Sequence, residues 1–495
     1  MDKLENYNLY SSIDKNIELM KTIFKNDDTI KFRTFENQNN PKIRCSIIFI
    51  DGMVDNRIIN ENIIKPIVTN SMDSLNEINI NYFKDQTIIS SECEKTRDVL
   101  NMVSSVIDGN TVLFLEGSTE ALIIESKGWK SRSIEEPDVE RAIRGPREGF
   151  TESLMINLSL IRRKVKTNNL KFKFTTVGEI TYTKLCICYI EGLARQDILD
   201  NLYERLNSIK IDGILDSKYI QEYINKEPHS IFETTYNTEK PDVAVAKLLE
   251  GRIIIVVDGT PVVISLPYLF IETFQSSDDY YTNYYYASLN RMLRIVGFFL
   301  TISTPAIYLS LVTYHQEMIP TPLIMSIYAS RLSVPLPTVF ELIGLLIVFE
   351  ILREAGTRMP SYIGQALSIV GALVLGSAAV EAKFVSAPIV IVVGMSGITS
   401  LITPTLGGAT VIIKLALIVL SSILGLYGYV MGMSFLLLHL LELKSFGVPY
   451  MTNLTTFTTQ DLKDTVIRAP RQYMKYRPKY LANKDPIRTS GGKRK

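Results

Sequence analysis

The sequence predicts an α/β protein joined to a membrane α-domain: two tandem α/β subdomains on the cytoplasmic side, then a multi-span helical membrane domain. Three observations predict it. Between Ile295 and Leu443, 149 residues carry only 11 Asp, Glu, Lys or Arg, and several apolar runs there reach the roughly 20 residues that cross a bilayer. The residues before Ile295 are charged and turn-rich, and one α/β pattern occurs in them twice. A chain of 495 residues exceeds one core, so roughly three folding units are expected. The segments read as a mobile lead-in over 1–40, a first α/β subdomain over 41–140, a second over 141–285, a transmembrane domain over 286–445 and a basic cytoplasmic tail over 446–495.

The lead-in is rich in Lys, Asn and Asp with some helix. It has no apolar signal-peptide core, which predicts that the α/β part stays in the cytoplasm. Next, Cys45-Ser-Ile-Ile-Phe-Ile-Asp-Gly52 is an apolar run ending in an acid-Gly corner, echoed 140 residues on by Cys186-Ile-Cys-Tyr-Ile-Glu-Gly192. A second pair follows in the same order: Thr111 to Gly117 with Ala121 to Glu125, and Ile253 to Gly259 with Val262 to Leu266. Glu116 and Asp258 are the corner acids, 142 residues apart. Each copy reads as a helix leading into a hairpin. Either the subdomains are related, or common β-turn-β patterns match by chance. The acids serve as turn residues and need no catalytic role.

Cys45, Cys93, Cys186 and Cys188 match neither a zinc site nor a disulfide framework. Cys186 and Cys188 point to one face of a strand, as buried reduced thiols. No complete phosphate loop, nucleophile elbow or metal-ligand set is present, so no enzyme activity, cofactor or metal is expected. Between the copies, Arg144, Gly145, Pro146, Arg147, Glu148 and Gly149 mark a tight basic connection. Phe150, Leu154, Leu158, Ile161 and Val165 then recur at helical spacing and predict a buried face. The arginines there are either a solvated surface or a phosphate or carboxylate clamp.

Arg144-Gly-Pro-Arg-Glu-Gly-Phe-Thr-Glu-Ser153 resembles the signature of the spore-germination receptor A subunits, the GerA family. Glu250-Gly-Arg with Asp258-Gly259-Thr-Pro261 resembles a second family stretch, and Phe274-Gln275-Ser276-Ser277-Asp-Asp-Tyr-Tyr281 a third. Leu352 to Gly356 and Ile363 to Gly376 extend the likeness into the apolar region, and it runs from about residue 45 to about 480. The resemblance implies a subunit of a nutrient-germinant receptor in the spore inner membrane, working with a transporter-like, nutrient-sensing B subunit and a lipoprotein C subunit. It also implies A subunits that oligomerise around an ion-conducting path.

In the apolar region, Ile295 to Tyr314 reads as a span with Arg291 and Arg294 on its cytoplasmic side. Pro335 to Ile351 reads as a second, Ile363 to Ala382 as a small-residue third, and Val411 to Leu441 as one long last helix. Ser386 to Thr403 is shorter. Twelve Lys or Arg against Asp461, Asp464 and Asp485 from Lys444 onward place the tail against anionic lipid, not nucleic acid, and put both termini in the cytoplasm. An even number of crossings is then required, and a Ser386 to Thr403 that is re-entrant, or broken inside the protein, supplies it.

Glu341 is the intramembrane residue of interest. An acid at that depth faces protein or water, not lipid. It either contributes to a cation-attracting ring in an oligomer or pairs with an Arg or a neighbouring helix. Gln365 lines a polar path or binds another helix, Lys414 snorkels, and His439 packs at a helix end. Alternatives to a gated channel subunit are a non-conducting scaffold that docks the sensing partner, and a secondary transporter.

Overall fold

The structure is a computed structural model that describes residues 7–70, 80–90, 92–128, 140, 144–358, 376–452, 464–478, 480–481 and 487. It divides into two compact units. One comprises Met1–Pro228, Thr235–Tyr268 and Met474–Lys495, the other His229–Thr234 and Leu269–Tyr473.

In the α/β unit the sequence echo becomes a structural repeat. The first copy runs α1 (Ile13–Ile23), β1 (Ile30–Glu36), β2 (Arg44–Ile50), a helical segment over 56–69, β3 (Cys93–Thr96), α2 (Val99–Ile107), β4 (Thr111–Leu115) and β5 (Ala121–Ile124). The second runs α3 (Leu154–Lys164), β6 (Leu170–Val177), β7 (Thr183–Ile190), α4 (Gln196–Asn207), α5 (Ser217–Ile224), β8 (Tyr236–Thr238), α6 (Pro241–Leu249), β9 (Ile253–Val257) and β10 (Val263–Leu266). Their antiparallel sheets have orders β1-β2-β4-β5-β3 and β6-β7-β9-β10-β8, the same topology.

Polar detail repeats as well. The corner acid caps the copy's first helix: the Ile13 N–H donates to Glu116 at 3.2 Å, and the Leu154 N–H to Asp258 at 3.1 Å. Each satisfies one orphan donor of a helix N-terminus, which stabilises by about 1 kcal/mol. Asn16 clasps the backbone of Tyr10 in both directions, and Asn157 does the same to Thr151. Chance matching of turns does not reproduce such knots, so the two copies are one motif used twice.

The lead-in is corrected. Instead of a mobile segment, residues 13–36 supply α1 and edge strand β1, with Ile13 and Met20 fully buried. The apolar residues Ile13, Met20, Ile23 and Phe24 are few, but they fall on one helical face and so build a core despite the polar composition. The turn before β1 also joins the copies. Asp27 meets Arg162 with both side chains fully buried. The Asp28 N–H donates to the Phe172 carbonyl at 2.9 Å, and its carboxylate accepts the Phe174 N–H at 3.0 Å. The expected buried face of α3 is present: Phe150, Leu154, Leu158, Ile161 and Val165 are all buried. Cys45, Cys186 and Cys188 are buried free thiols, and burial pushes the Cys45 thiol up to about 12.

The helical unit contains α7 (Tyr284–Thr313), α8 (Thr321–Arg331), α9 (Thr338–Arg358), α10 (Ala387–Ser400), α11 (Gly407–Glu442) and a small hairpin, β11 (Lys444–Ser445) with β12 (Val448–Pro449). It begins earlier than the expected residue 286. Phe270 and Phe274 pack edge-on against Phe298 of α7 at centroid distances of 6.1 and 5.7 Å. Among the described residues, two helices are long and apolar enough to cross a membrane, Tyr284–Thr313 and Pro404–Glu442. The expected third span, Ile363 to Ala382, lies mostly outside the described residues.

Pro305 removes one rung from the hydrogen-bond ladder of α7, since it has no N–H to offer the Thr301 carbonyl. Ser396 of α10 donates its hydroxyl to that carbonyl at 2.8 Å. The expected single last helix is also corrected. At Gly425 the backbone takes φ 61° and ψ −141°, and α11 folds back on itself. Gly432 lies against Leu417 and Leu420, and Gly428 against the Leu420 carbonyl, separations that a straight helix forbids at 1.5 Å per residue. Each limb is about 26 Å long, close to a bilayer core of roughly 30 Å. The Phe270 N–H donates to the Tyr450 carbonyl at 3.0 Å, so the helical unit starts and ends at one face.

Candidate functional site

The most densely connected polar site lies where α7 begins. Phe274 to Tyr281, one of the family-like stretches, makes a tight turn there. Ser276 caps it in a reciprocal capping box with Asp279. Asp279 is 1% exposed and receives two arginines from successive turns of α7. Arg291 Nε lies 2.8 Å from its Oδ2, and Arg294 grips both oxygens at 2.9 and 3.0 Å. The spacing explains the geometry: positions three apart on a helix share a face, and the fork of Arg294 matches a carboxylate.

A strap from beyond the last helix completes the site. Asp464 Oδ1 accepts Arg291 Nη1 at 2.8 Å, and its Oδ2 accepts the Tyr280 hydroxyl at 3.0 Å. Gln275 donates to the Asp464 carbonyl at 2.6 Å. Arg291 and Arg468 flank the Tyr280 ring at 5.4 and 5.8 Å, and Arg468 donates to the Thr282 carbonyl at 3.0 Å. Burial, then the like charges of Arg471 and Arg291, push Arg468 below its ordinary value. Chemically the site is a clamp: it fixes the start of α7 to the strap. Sequence reasoning used Arg291 and Arg294 only to orient a span and passed over Asp279 and Asp464. The run Gln-Ser-Ser-Asp-Asp beside two arginines was the available signal.

The other expected residues fall elsewhere. Glu341 is 1% exposed. Its Oε2 accepts the Ser386 N–H at 2.9 Å, and its Oε1 lies 3.9 Å from Arg331 Nε. It therefore turns inward, onto the start of α10. Lys414, expected to snorkel, is instead 1% exposed and lies 3.3 Å from Glu350, which also holds Arg353 at 2.7 Å. His439 packs near Phe232, with Ser230 Oγ at 3.2 Å. Gln365 lies outside the described residues.

Arg144, Gly145 and Arg147 are exposed in a loop that leads to buried Gly149. Pro146 is half-buried, and Glu148 pairs with Lys164 at 2.9 Å. Asp258 and Gly259 form the corner that caps α3, and Ser277 opens the turn beneath α7. The structure thus brings Gln275 and Ser276 together with the clamp and leaves the Arg144–Gly149 loop apart as a structural connection.

Residues 18–480 match the family described as Bacillus/Clostridium GerA spore germination protein. The chain belongs to the GerA family. Its relatives include spore germination protein KA of Bacillus subtilis (strain 168), 41% identical over 96% of this chain and 88% of that protein. Spore germination protein B1 of the same organism is 34% identical over 97% and 99%, and GerLA of Bacillus cereus is 33% identical over 89% and 90%. A solved structure, the N-terminal domain of the A subunit of the Bacillus megaterium spore germinant receptor GerK3, matches at 28% identity and a TM-score of 0.40. It covers 53% of this chain and 98% of that one. GerA membership gives the chain a role in spore germination, and the clamp lies inside the matched residues.

Proposed function

We propose that this GerA protein is the A subunit of a nutrient-germinant receptor, a gated, oligomeric component of the spore inner membrane that conducts ions when germination starts. A transporter-like B subunit senses the nutrient and a lipoprotein C subunit completes the complex. Both termini lie in the cytoplasm, consistent with a helical unit that starts and ends at one face. The observation that carries the reading is the clamp of Asp279, Arg291, Arg294 and Asp464. It fastens the foot of a long apolar helix to the strap, the fixed point against which the rest of the helical unit moves.

The test is nutrient-triggered release of monovalent cations from spores carrying Arg294→Lys, with subunit abundance measured in the same preparation. Arg294→Lys keeps the charge and loses the two-pronged grip. Slower release at normal abundance supports gating through the clamp. Normal release at normal abundance removes the clamp from the mechanism. A second reading, a scaffold that docks the sensing partner without conducting, is favoured by the inward turn of Glu341. Single-channel recording of the assembled receptor separates the two.

A further inference from the structure

The outer face of α7 is dressed for one particular surroundings. Leu289, Met292, Leu293, Val296 and Phe299 are 46–52% exposed along it. At its start stand Tyr285, 71% exposed, and Tyr286, 57% exposed. Aromatic side chains with a polar tip collect at the headgroup level of a bilayer, below an apolar stripe that faces acyl chains. The strap brings Tyr473, 61% exposed, near Tyr284 at the same level.

Charge at that level is unbalanced by one: Arg291, Arg294, Arg468 and Arg471 stand against Asp278, Asp279 and Asp464. Asp279 is consumed by Arg291 and Arg294, and Asp464 by Arg291 and Tyr280. Among the described residues, buried Arg468 keeps an unpartnered Nε, and Arg291 an unpartnered Nη2. Arg471 is exposed and, among the described residues, spends one 3.4 Å bond, on the Tyr280 carbonyl. We propose that this face binds the phosphate of an anionic lipid headgroup, with Arg471 as the direct contact, Arg468 adding its charge from beneath, and Tyr285 and Tyr473 flanking. The complementarity is between surplus guanidinium charge and a phosphate diester held beside an apolar stripe. The bound lipid steadies the clamp that the proposed function uses, and the site rests on that reading only for the membrane placement of α7.

The test uses the full chain reconstituted in bilayers. The sequence's one tryptophan, Trp129, is replaced by Phe, and Tyr473→Trp supplies a reporter. Brominated phosphatidylglycerol should quench it at a lower mole fraction than brominated phosphatidylcholine. R471Q, which leaves every ion pair of the clamp intact, should cut that preference about five-fold, the value of one cation near an anionic surface. Equal quenching by the two lipids, or an unchanged preference in R471Q, overturns the site. Loss of the preference in millimolar inorganic phosphate at fixed ionic strength also overturns it, in favour of a soluble anion. Failure of both lipids to quench sinks the membrane placement, and with it the proposed function.

Discussion

Two buried carboxylates of the helical unit, Asp279 and Glu341, meet arginines, and the two contacts are built to different standards. Beside the start of α7, Asp279 holds two arginines by short, well-aligned bonds, one of them two-pronged. Glu341 and Arg331 lie near Tyr308, toward the other end of α7. There the two charged groups stand 3.9 Å apart, too far for a hydrogen bond. Glu341 Oε1, Arg331 Nε, Ser386 Oγ and the Tyr308 hydroxyl have no hydrogen-bond partner among the described residues. Short, charge-assisted bonds rigidify their surroundings; an ion pair too far apart to bond has less to lose by moving. The difference marks the start of α7 as an anchor and the far cluster as the place where α8, α9 and α10 rearrange at small cost.

Breaking the anchor gives the largest effect. Asp279→Asn leaves Arg291 with Asp464 as its one carboxylate and takes the carboxylate from Arg294, and removing one partner of a buried ion pair costs about 3–5 kcal/mol. The subunit should vanish from spore membranes, as read by immunoblot, and D279N protein that does accumulate at the parental level would show the anchor to be dispensable. Gly425→Ala comes next. A Cβ there would sit 3.0 Å from Tyr314 Cβ and 3.1 Å from His315 Nε2, on a backbone at φ +61°. Strain of that kind costs about 1–3 kcal/mol before the clash is added. The hairpin should open, detectable as new protease sensitivity in α11, whereas an unchanged digestion pattern would mean that the fold-back does not depend on glycine.

How far the sequence revealed these features follows from the range of the signals. The α/β repeat was legible because its punctuation is local: Asp51-Gly52, Glu116-Gly117, Glu191-Gly192 and Asp258-Gly259 each close a strand within a few residues. The α1–β1 segment was hidden by composition, since its core contribution rests on a few apolar positions among lysines and asparagines. The α11 hairpin was hidden for the opposite reason. Gly425 sits in an unbroken apolar run, and hydropathy does not distinguish one long helix from two antiparallel limbs. The clamp was half legible: Asp279 and Arg291 lie 12 residues apart, but Asp464 lies 173 residues from Arg291, and only the fold joins them. Glu341 stood out as an acid in an apolar run, while its partner Ser386, a backbone donor 45 residues away, leaves no trace in residue type.

Between anchor and far cluster lies Ser396, whose hydroxyl serves the carbonyl that Pro305 leaves orphaned. Ser396→Ala should cost about 1–3 kcal/mol, the penalty for a buried acceptor left unsatisfied. Pro305→Ala in the same chain restores the N–H and should recover most of that loss. The measurement is the thermal midpoint of the purified subunit across the double-mutant cycle, and additive effects would disconnect the two residues.

The smallest effect on stability belongs to Glu341→Gln, and it sharpens the comparison most. An amide oxygen still accepts the Ser386 N–H, and the ionic contact being lost is a long one. The cost should therefore be about 1 kcal/mol or less, that of a neutral replacement for a weak pair. Asp279→Asn and Glu341→Gln are both carboxylate-to-amide changes at residues 1% exposed, so burial alone assigns them equal penalties. Unequal penalties, with Glu341→Gln shifting cation release while abundance holds, would show that bond geometry separates the anchor from the moving part. Equal loss of abundance in both would mean that the far cluster is as rigid as the anchor, and the moving element must then be sought elsewhere in the helical unit.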